Sequence, residues 1–359
     1  MITRRGALLA SVGAVIARAQ AGMENLLSLY DFESAAQTKI AHGAWERLVG
    51  GAADEITLKW NREAYDHIRL KPRVLVDVSK VDTRVTLLGQ QMTFPILLSP
   101  TGGQGLIAQQ GDIAAARGAA AAGATYTISS SASMKVEEIA RAATGPVWFQ
   151  LYVQRDRGFT RDLVQRAEDA GCRALCVTVD SPTFGMRNRE ARASGDLPPR
   201  ELPNLKGRDY LDATLTWKDI DWLRGFARRP VLLKGILNPD DAATAVKAGA
   251  AGIVVSNHGA RNLDTVPATI DALPLIAERV EGRVPVIVDG GVRRGTDVVK
   301  ALARGATAVG IGRPYLWGLG VAGSAGVTRV VEILRKELEL AMMLMGRPTL
   351  KSIDKSALW

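Results

Sequence analysis

Short apolar runs recur along the chain at 95–99, 125–129, 147–151, 174–179, 231–234, 252–255, 285–288 and 306–310. Each is too short for a stable helix and, apart from Thr125-Tyr126-Thr127-Ile128-Ser129, carries no polar alternation. Each therefore reads as a strand buried on both faces, as in parallel sheets. Alanine-rich segments of helical character lie between them, for example 112–122, 161–170, 240–248 and 296–303. Several close on Gly-Ala or Gly-Cys, which stops a helix before the next strand. Eight such strand–helix units predict a (β/α)8 TIM barrel over about 94–345. A doubly wound open sheet is the alternative that the rhythm alone leaves. Upstream, 24–70 reads as helical, broken at Gly50-Gly51-Ala52-Ala53. The runs Val74-Leu75-Val76 and Val85-Thr86-Leu87-Leu88 predict a hairpin-like addition to this N-terminal cover. One long interruption, 181–216, holds Pro182, Pro198, Pro199 and Pro203 and is expected to be a mobile binding loop.

The extreme N-terminus breaks the pattern. Thr3-Arg4-Arg5 precedes an uncharged stretch at 6–17, and Ala17-Arg18-Ala19-Gln20-Ala21 follows with A-x-A cleavage options. This predicts a twin-arginine signal peptide over 1–21 and a periplasmic, exported protein, with 22–359 as a single domain. A cytoplasmic leader is the alternative. The leader is too short to be read as a transmembrane helix.

Composition narrows the function. Net charge is +9, or +6 without the three leader arginines, but the basic residues are dispersed and aromatics make up only 5%. A nucleic-acid partner is therefore not expected. Cys172 and Cys176 stand in Gly-Cys-Arg-Ala-Leu-Cys without a neighbouring histidine. They read as buried structural thiols, and no metal site is expected.

Chemistry collects at the strand ends, where barrel enzymes keep it. In order, the strands run into Ser99-Pro100-Thr101-Gly102-Gly103, Ser129-Ser130-Ser131, Gln150-Leu151-Tyr152, Thr178-Val179-Asp180 and Lys234-Gly235. The last three run into Ser256-Asn257-His258-Gly259-Ala260-Arg261, Asp289-Gly290-Gly291-Val292-Arg293 and Gly310-Ile311-Gly312-Arg313-Pro314. His258 and Arg261 offer a general base beside a cation, suited to a substrate with a carboxylate next to its reacting carbon. Asp180 can orient the histidine, and Tyr152 can hydrogen-bond a substrate hydroxyl. Lys234, at a barrel strand end, is expected to point into the site. The glycine–arginine loops at the seventh and eighth strand ends suit a phosphate-bearing cofactor. No P-loop or dinucleotide fingerprint is present.

Together with Gly50-Gly51-Ala52-Ala53-Asp54-Glu55, Phe149-Gln150-Leu151-Tyr152 and Gly312-Arg313-Pro314, these motifs resemble the FMN-dependent α-hydroxy-acid oxidase/dehydrogenase family over about 24–350. The resemblance implies FMN as cofactor and oxidation of an L-2-hydroxy acid to the 2-oxo acid. It implies His258 as base, Asp180 as its partner and Tyr152 on the substrate hydroxyl. Arg261 and Arg187 would hold the carboxylate. FMN would contact Pro100, Thr101, Gly102, Ser129, Gln150, Thr178, Lys234 and Ser256. Its phosphate would lie on Asp289, Gly290, Gly291, Val292, Arg293, Gly312 and Arg313. A homotetramer is also implied, with oxygen, a quinone or another carrier as electron acceptor; membrane association stays open. Trp45 stands where glycolate-oxidase-like members place a carboxylate-binding tyrosine, and is expected to be a substrate contact. Ser131 replaces a bulky residue, and with Trp45 this points to a larger or atypical substrate; Gly102 replaces an alanine found in some members. An FMN-dependent isomerase and a non-catalytic flavin-binding barrel are the alternatives on the same scaffold.

Overall fold

The computed structural model describes residues 22–207 and 210–359, so the leader prediction for 1–21 lies outside the described residues. Three cover helices come first: α1 (Leu29–Lys39), α2 (His42–Val49) and α3 (Ile56–Asp66). A two-stranded antiparallel hairpin, β1 (Val85–Leu87) with β2 (Gln90–Met92), follows. The expected Val74-Leu75-Val76 run is not a strand. Leu75 has φ 59° and is fully exposed, and no neighbouring strand offers it a ladder.

The strands of the repeat are β3 (Ile96–Leu98), β4 (Thr125–Ser129), β5 (Val147–Leu151), β6 (Leu175–Thr178), β7 (Val231–Ile236), β8 (Gly252–Val255), β9 (Val286–Asp289) and β10 (Ala308–Ile311). They pair in parallel, in sequence order, and β10 returns to β3 to close a barrel. This is the (β/α)8 fold, and the open-sheet alternative is excluded. The intervening helices include α4 (Gly111–Ala121), α5 (Val136–Ala142), α6 (Arg157–Asp169), α7 (Asn188–Arg192) and α8 (Trp217–Arg224). They continue with α9 (Pro239–Lys247), α10 (Thr269–Val280), α11 (Gly295–Ala303) and α12 (Arg313–Leu344).

The two-residue period of a strand divides each run between two cores. Ile96, Leu98, Phe149, Leu151, Val177, Leu233, Val255, Val288 and Ile311 pack outward in the large core shared with the helices. Leu97, Trp148, Cys176, Leu232, Val254, Ile287 and Ala308 form a separate cluster inside the barrel. Leu87 and Met92 of the hairpin join that inner cluster, so the hairpin plugs the barrel floor. Cys176 is an inner-layer side chain, and both cysteines are buried and unpaired. Two residues further along each strand the inner face turns polar or small, at Ser99, Gln150, Thr178, Lys234, Ser256, Asp289 and Gly310. Apart from Ser256, that upper layer lines the floor of the functional cavity. No helix among the described residues is long and apolar enough to cross a membrane.

Candidate active site

The loop after β8 carries the histidine. His258, Gly259 and Ala260 have φ values of 58°, 62° and 61°, a left-handed run that costs a non-glycine residue energy. Hydrogen bonds hold it there. The His258 amide donates to Ser256 Oγ at 3.1 Å, and the Ala260 amide donates to the Asn257 side chain at 3.1 Å. Asn257 and Asn61 of α3 exchange amide hydrogen bonds of 3.0 and 2.8 Å, bracing the loop against the cover. Asp264 beyond the loop accepts from the amides of Asp54, Ile56 and Thr57, tying down the start of α3.

This bracing aims the imidazole. Its Nδ1 donates to Asp180 Oδ1 at 3.0 Å, and its Nε2 lies 3.5 Å from the Tyr152 hydroxyl. Ser181 Oγ also donates to Asp180 at 3.0 Å, and Asn262 holds both the Asp180 carbonyl and Ser181 Oγ. Burial acts to raise the Asp180 pKa, but His258, Lys234 and Ser181 together hold it below the ordinary carboxylate value. An ionised Asp180 fixes the tautomer that leaves Nε2 as acceptor. Close approach needs Gly235, at φ 113°: a Cβ there would overlap the Asp180 side chain. Burial keeps the Tyr152 phenol protonated well above its usual range, with repulsion from Tyr210 and Asp180 adding to it.

A polar network floors the cavity. Gln150 accepts from Ser129 Oγ at 3.1 Å and donates to Thr178 Oγ1 at 2.9 Å, linking β4, β5 and β6. Lys234 Nζ donates to Ser256 Oγ at 2.8 Å and lies 3.2 Å from Asp289 Oδ2. Burial disfavours its charge, yet Asp289 and Asp180 raise its pKa above the ordinary lysine value. The lysine therefore brings a full charge to the cavity wall. Ser256 does not line the cavity: it is fully buried behind Lys234, and its hydroxyl serves Lys234 and His258. Ser256, expected as an FMN contact, is thus placed by the structure beneath the lining, with its hydroxyl accepting from Lys234 and the His258 amide.

Pro100, Thr101, Gly102, Ser129, Gln150, Tyr152, Thr178, Arg187, Lys234, His258 and Arg261 all line one cavity. Asp289, Gly290, Gly291, Val292, Arg293, Gly312 and Arg313 line it too. Trp45 does not. It is buried in the core, whereas Ala44, Arg47 and Leu48 face the cavity. Positions i, i+3 and i+4 share one helix face, and residue i+1 falls off it. Trp45, expected as a substrate contact, therefore lies off the cavity face of α2, and Arg47 is the long polar side chain on that face. Ser131 does line the cavity, and it is coupled to Gly102: a Cβ at 102 would sit 2.6 Å from Ser131 Cβ. The two departures at 102 and 131 are one change in shape.

Comparison with known proteins decides the family. The FMN-dependent dehydrogenase family matches residues 36–359. The chain is 44% identical to L-lactate oxidase of Nostoc sp., covering 92% of this chain and 98% of that one. It is 44% identical to glycolate oxidase 1 of Zea mays, covering 93% and 95%. A crystal structure of mandelate oxidase with (S)-2-phenylpropionate superposes with TM-score 0.88 at 41% identity, covering 93% and 98%. A soluble mutant of the membrane-associated (S)-mandelate dehydrogenase from Pseudomonas putida gives TM-score 0.89 at 35% identity, covering 93% and 99%.

The chain belongs to the FMN-dependent dehydrogenase family.

The residues present fit FMN. Arg293 and Arg313 are half-buried, and desolvation presses both guanidiniums down, Arg313 to about 9 with repulsion from Arg261 and Arg293 adding to it. Desolvated cations call for an anion. They stand beside Gly290–Val292 and the N-terminus of α12, where a phosphate gains from backbone N–H groups and the helix dipole. Arg313 is itself held by the carbonyls of Leu48, Gly50 and Gly259, so the same guanidinium closes the cover onto the barrel. Ser129, Gln150, Thr178 and Lys234 would line the ring system, with Pro100–Gly102 along its side.

Proposed function

We propose that this protein oxidises an L-2-hydroxy acid to the corresponding 2-oxo acid with FMN. The observation that carries this reading is the meeting of Arg187, Arg261, Tyr152 and His258 Nε2 on one cavity with the FMN residues. FMN, when bound, would accept the two electrons and one of the two hydrogens that leave the substrate. Arg187 and Arg261 hold the substrate carboxylate and fix which hydrogen faces His258. The Tyr152 hydroxyl, protonated at all working pH values, hydrogen-bonds the substrate oxygen. His258 Nε2 takes a proton as the carbinol becomes a carbonyl, and Asp180 stabilises the resulting imidazolium. An isomerase on this scaffold would leave that set of residues without a task.

Anaerobic mixing of the FMN-loaded protein with a panel of L-2-hydroxy acids tests the reading. Bleaching of the flavin absorbance with stoichiometric 2-oxo acid is expected. Failure of every member of the panel in FMN-replete protein would end it. Repeating the assay in air and with a quinone identifies the acceptor.

We also propose export through the leader at 1–21. Fractionation of cells expressing the full chain and its Arg4→Lys, Arg5→Lys variant tests this; equal cytoplasmic retention of both would refute it.

A further inference from the structure

Two arginines suffice for one carboxylate, but this cavity presents more. Arg47, Arg187, Arg200 and Arg261 all line it. Glu190 of α7 is in ion-pair contact with Arg47, lies 3.0 Å from Arg261 Nη2 and 3.7 Å from Arg187 Nη1. One protein carboxylate is thus shared among three guanidiniums. Glu55, on the same side, is engaged by Arg189 and the Gly51 amide. Asp289, the acid on the cavity wall, is paired with Lys234. Arg187, Arg261, Glu190 and one substrate carboxylate would balance. Arg47 adds a positive charge beyond that balance.

The surplus charge has a place to be used. Burial works against the Arg47 charge first, followed by repulsion from Arg200, Arg261 and Arg187. Arg200 reaches the same end of the cavity, where its Nη2 donates to the Ser131 carbonyl at 3.2 Å. Tyr210 OH lies 3.4 Å from Ser131 Oγ, so a phenol joins this end as well. Gly102 packs directly against Ser131 there, and both line the cavity. Beside the apolar Phe184 and Leu211, this end therefore presents guanidiniums and a hydroxyl, groups that a purely hydrocarbon side chain would leave unpaired.

We propose that this end of the cavity is a second anion site, that the substrate is a 2-hydroxy dicarboxylate, and that Arg47 selects it. The α-carboxylate lies on Arg187 and Arg261, and the distal carboxylate lies on Arg47 with Arg200 beside it. This rests on the 2-hydroxy-acid reading above and names its substrate class. A guanidinium–carboxylate contact in a low-dielectric pocket is charge-assisted and bidentate-capable, so it discriminates by charge as well as by size.

The test compares chain-matched pairs on the FMN-loaded protein. L-2-hydroxyglutarate is set against L-2-hydroxyvalerate, and L-malate against L-2-hydroxybutyrate, in anaerobic flavin reduction. Binding is read separately by titrating 2-oxoglutarate and 2-oxovalerate and following the flavin absorbance change. The dicarboxylate is expected to win by at least about tenfold in both readouts, the equivalent of about 1.4 kcal/mol. Arg47→Met and the gentler Arg47→Tyr are each expected to erase most of that ratio, and Arg200→Gln to reduce it. Equal efficiency within each pair, or a preference for the monocarboxylates, overturns the proposal while leaving the 2-hydroxy-acid reading intact. So does a preference that survives in a folded, FMN-replete Arg47→Tyr protein. No reduction by any acid overturns both.

Discussion

The proposed catalytic centre and the proposed carboxylate-binding rim share one cavity but are built differently. His258, Asp180 and Tyr152 sit just past the ends of β8, β6 and β5, and Lys234 and Asp289 lie within β7 and β9. Their positions follow from the barrel itself, because the strand period delivers alternate residues to the inner face. The rim comes from elsewhere. Arg47 belongs to a cover helix, and Arg187, Glu190 and Arg200 belong to the excursion after β6. Rim residues are held by one another: Arg189 bridges to Glu46, Arg261 donates to the carbonyls of Arg47 and Gly50, and Glu190 gathers three arginines. In the proposed reading the floor carries the chemistry, while the rim, assembled from separate segments, holds the substrate's carboxylate end and, through Arg47 and Arg200, its variable part. Specificity can then change without moving the base.

The sharpest way to break this comparison is His258→Gln. If the floor performs the chemistry, the rate of flavin reduction should fall by about 10²–10⁴-fold, while the affinity for a 2-oxo acid stays within a few-fold. A loss below about tenfold in stopped-flow reduction would remove His258 from the base role.

Arg187→Met probes the rim. Truncating one partner of a buried charge contact costs about 2–5 kcal/mol, so KM should rise by more than an order of magnitude with a smaller change in kcat. A collapse of kcat at unchanged KM would place Arg187 with the floor instead.

Asp112, at the start of α4, tests the packing beneath the loop after β4. Its Oδ2 accepts from the Ser133 amide at 3.0 Å, and burial pushes its pKa up to about 6 against that bond and the Arg200 charge. A raised carboxyl pKa means the native state binds the proton more tightly than the unfolded state. Its penalty is therefore absent below about pH 4, grows through about pH 6 and is complete above it. Asp112→Asn should stabilise the protein by at most about 3 kcal/mol at pH 8 and by nothing near pH 4, read from urea midpoints. A gain of the same size at both pH values would deny that the titration matters.

The smallest expected effect is none. Cys172 and Cys176 have thiols pushed up to about 12 by burial, one outside the barrel wall and one within its inner layer. Both should resist a thiol reagent at pH 8 in native protein and react on unfolding. Rapid native labelling of Cys176 would show that the floor opens.

The sequence by itself determined the barrel and most of its floor. Runs such as Val231–Ile236 are too short and too apolar to be anything but buried strands, and the residues just past each run inherit a fixed place at the rim of the closed sheet. That is why the positions of His258, Asp180 and Arg293 on the cavity or its immediate support were legible before any coordinates. Ser256 was legible as a strand-end residue, but not as one whose hydroxyl is consumed by Lys234 and His258, because that depends on which neighbour reaches it first. Trp45 and Arg47 show the remaining limit. They lie two positions apart on one helix, and which of them faces the cavity depends on how α2 rotates against the barrel. Only tertiary packing decided that, by burying the indole in the core and leaving the guanidinium to Glu190 and the cavity.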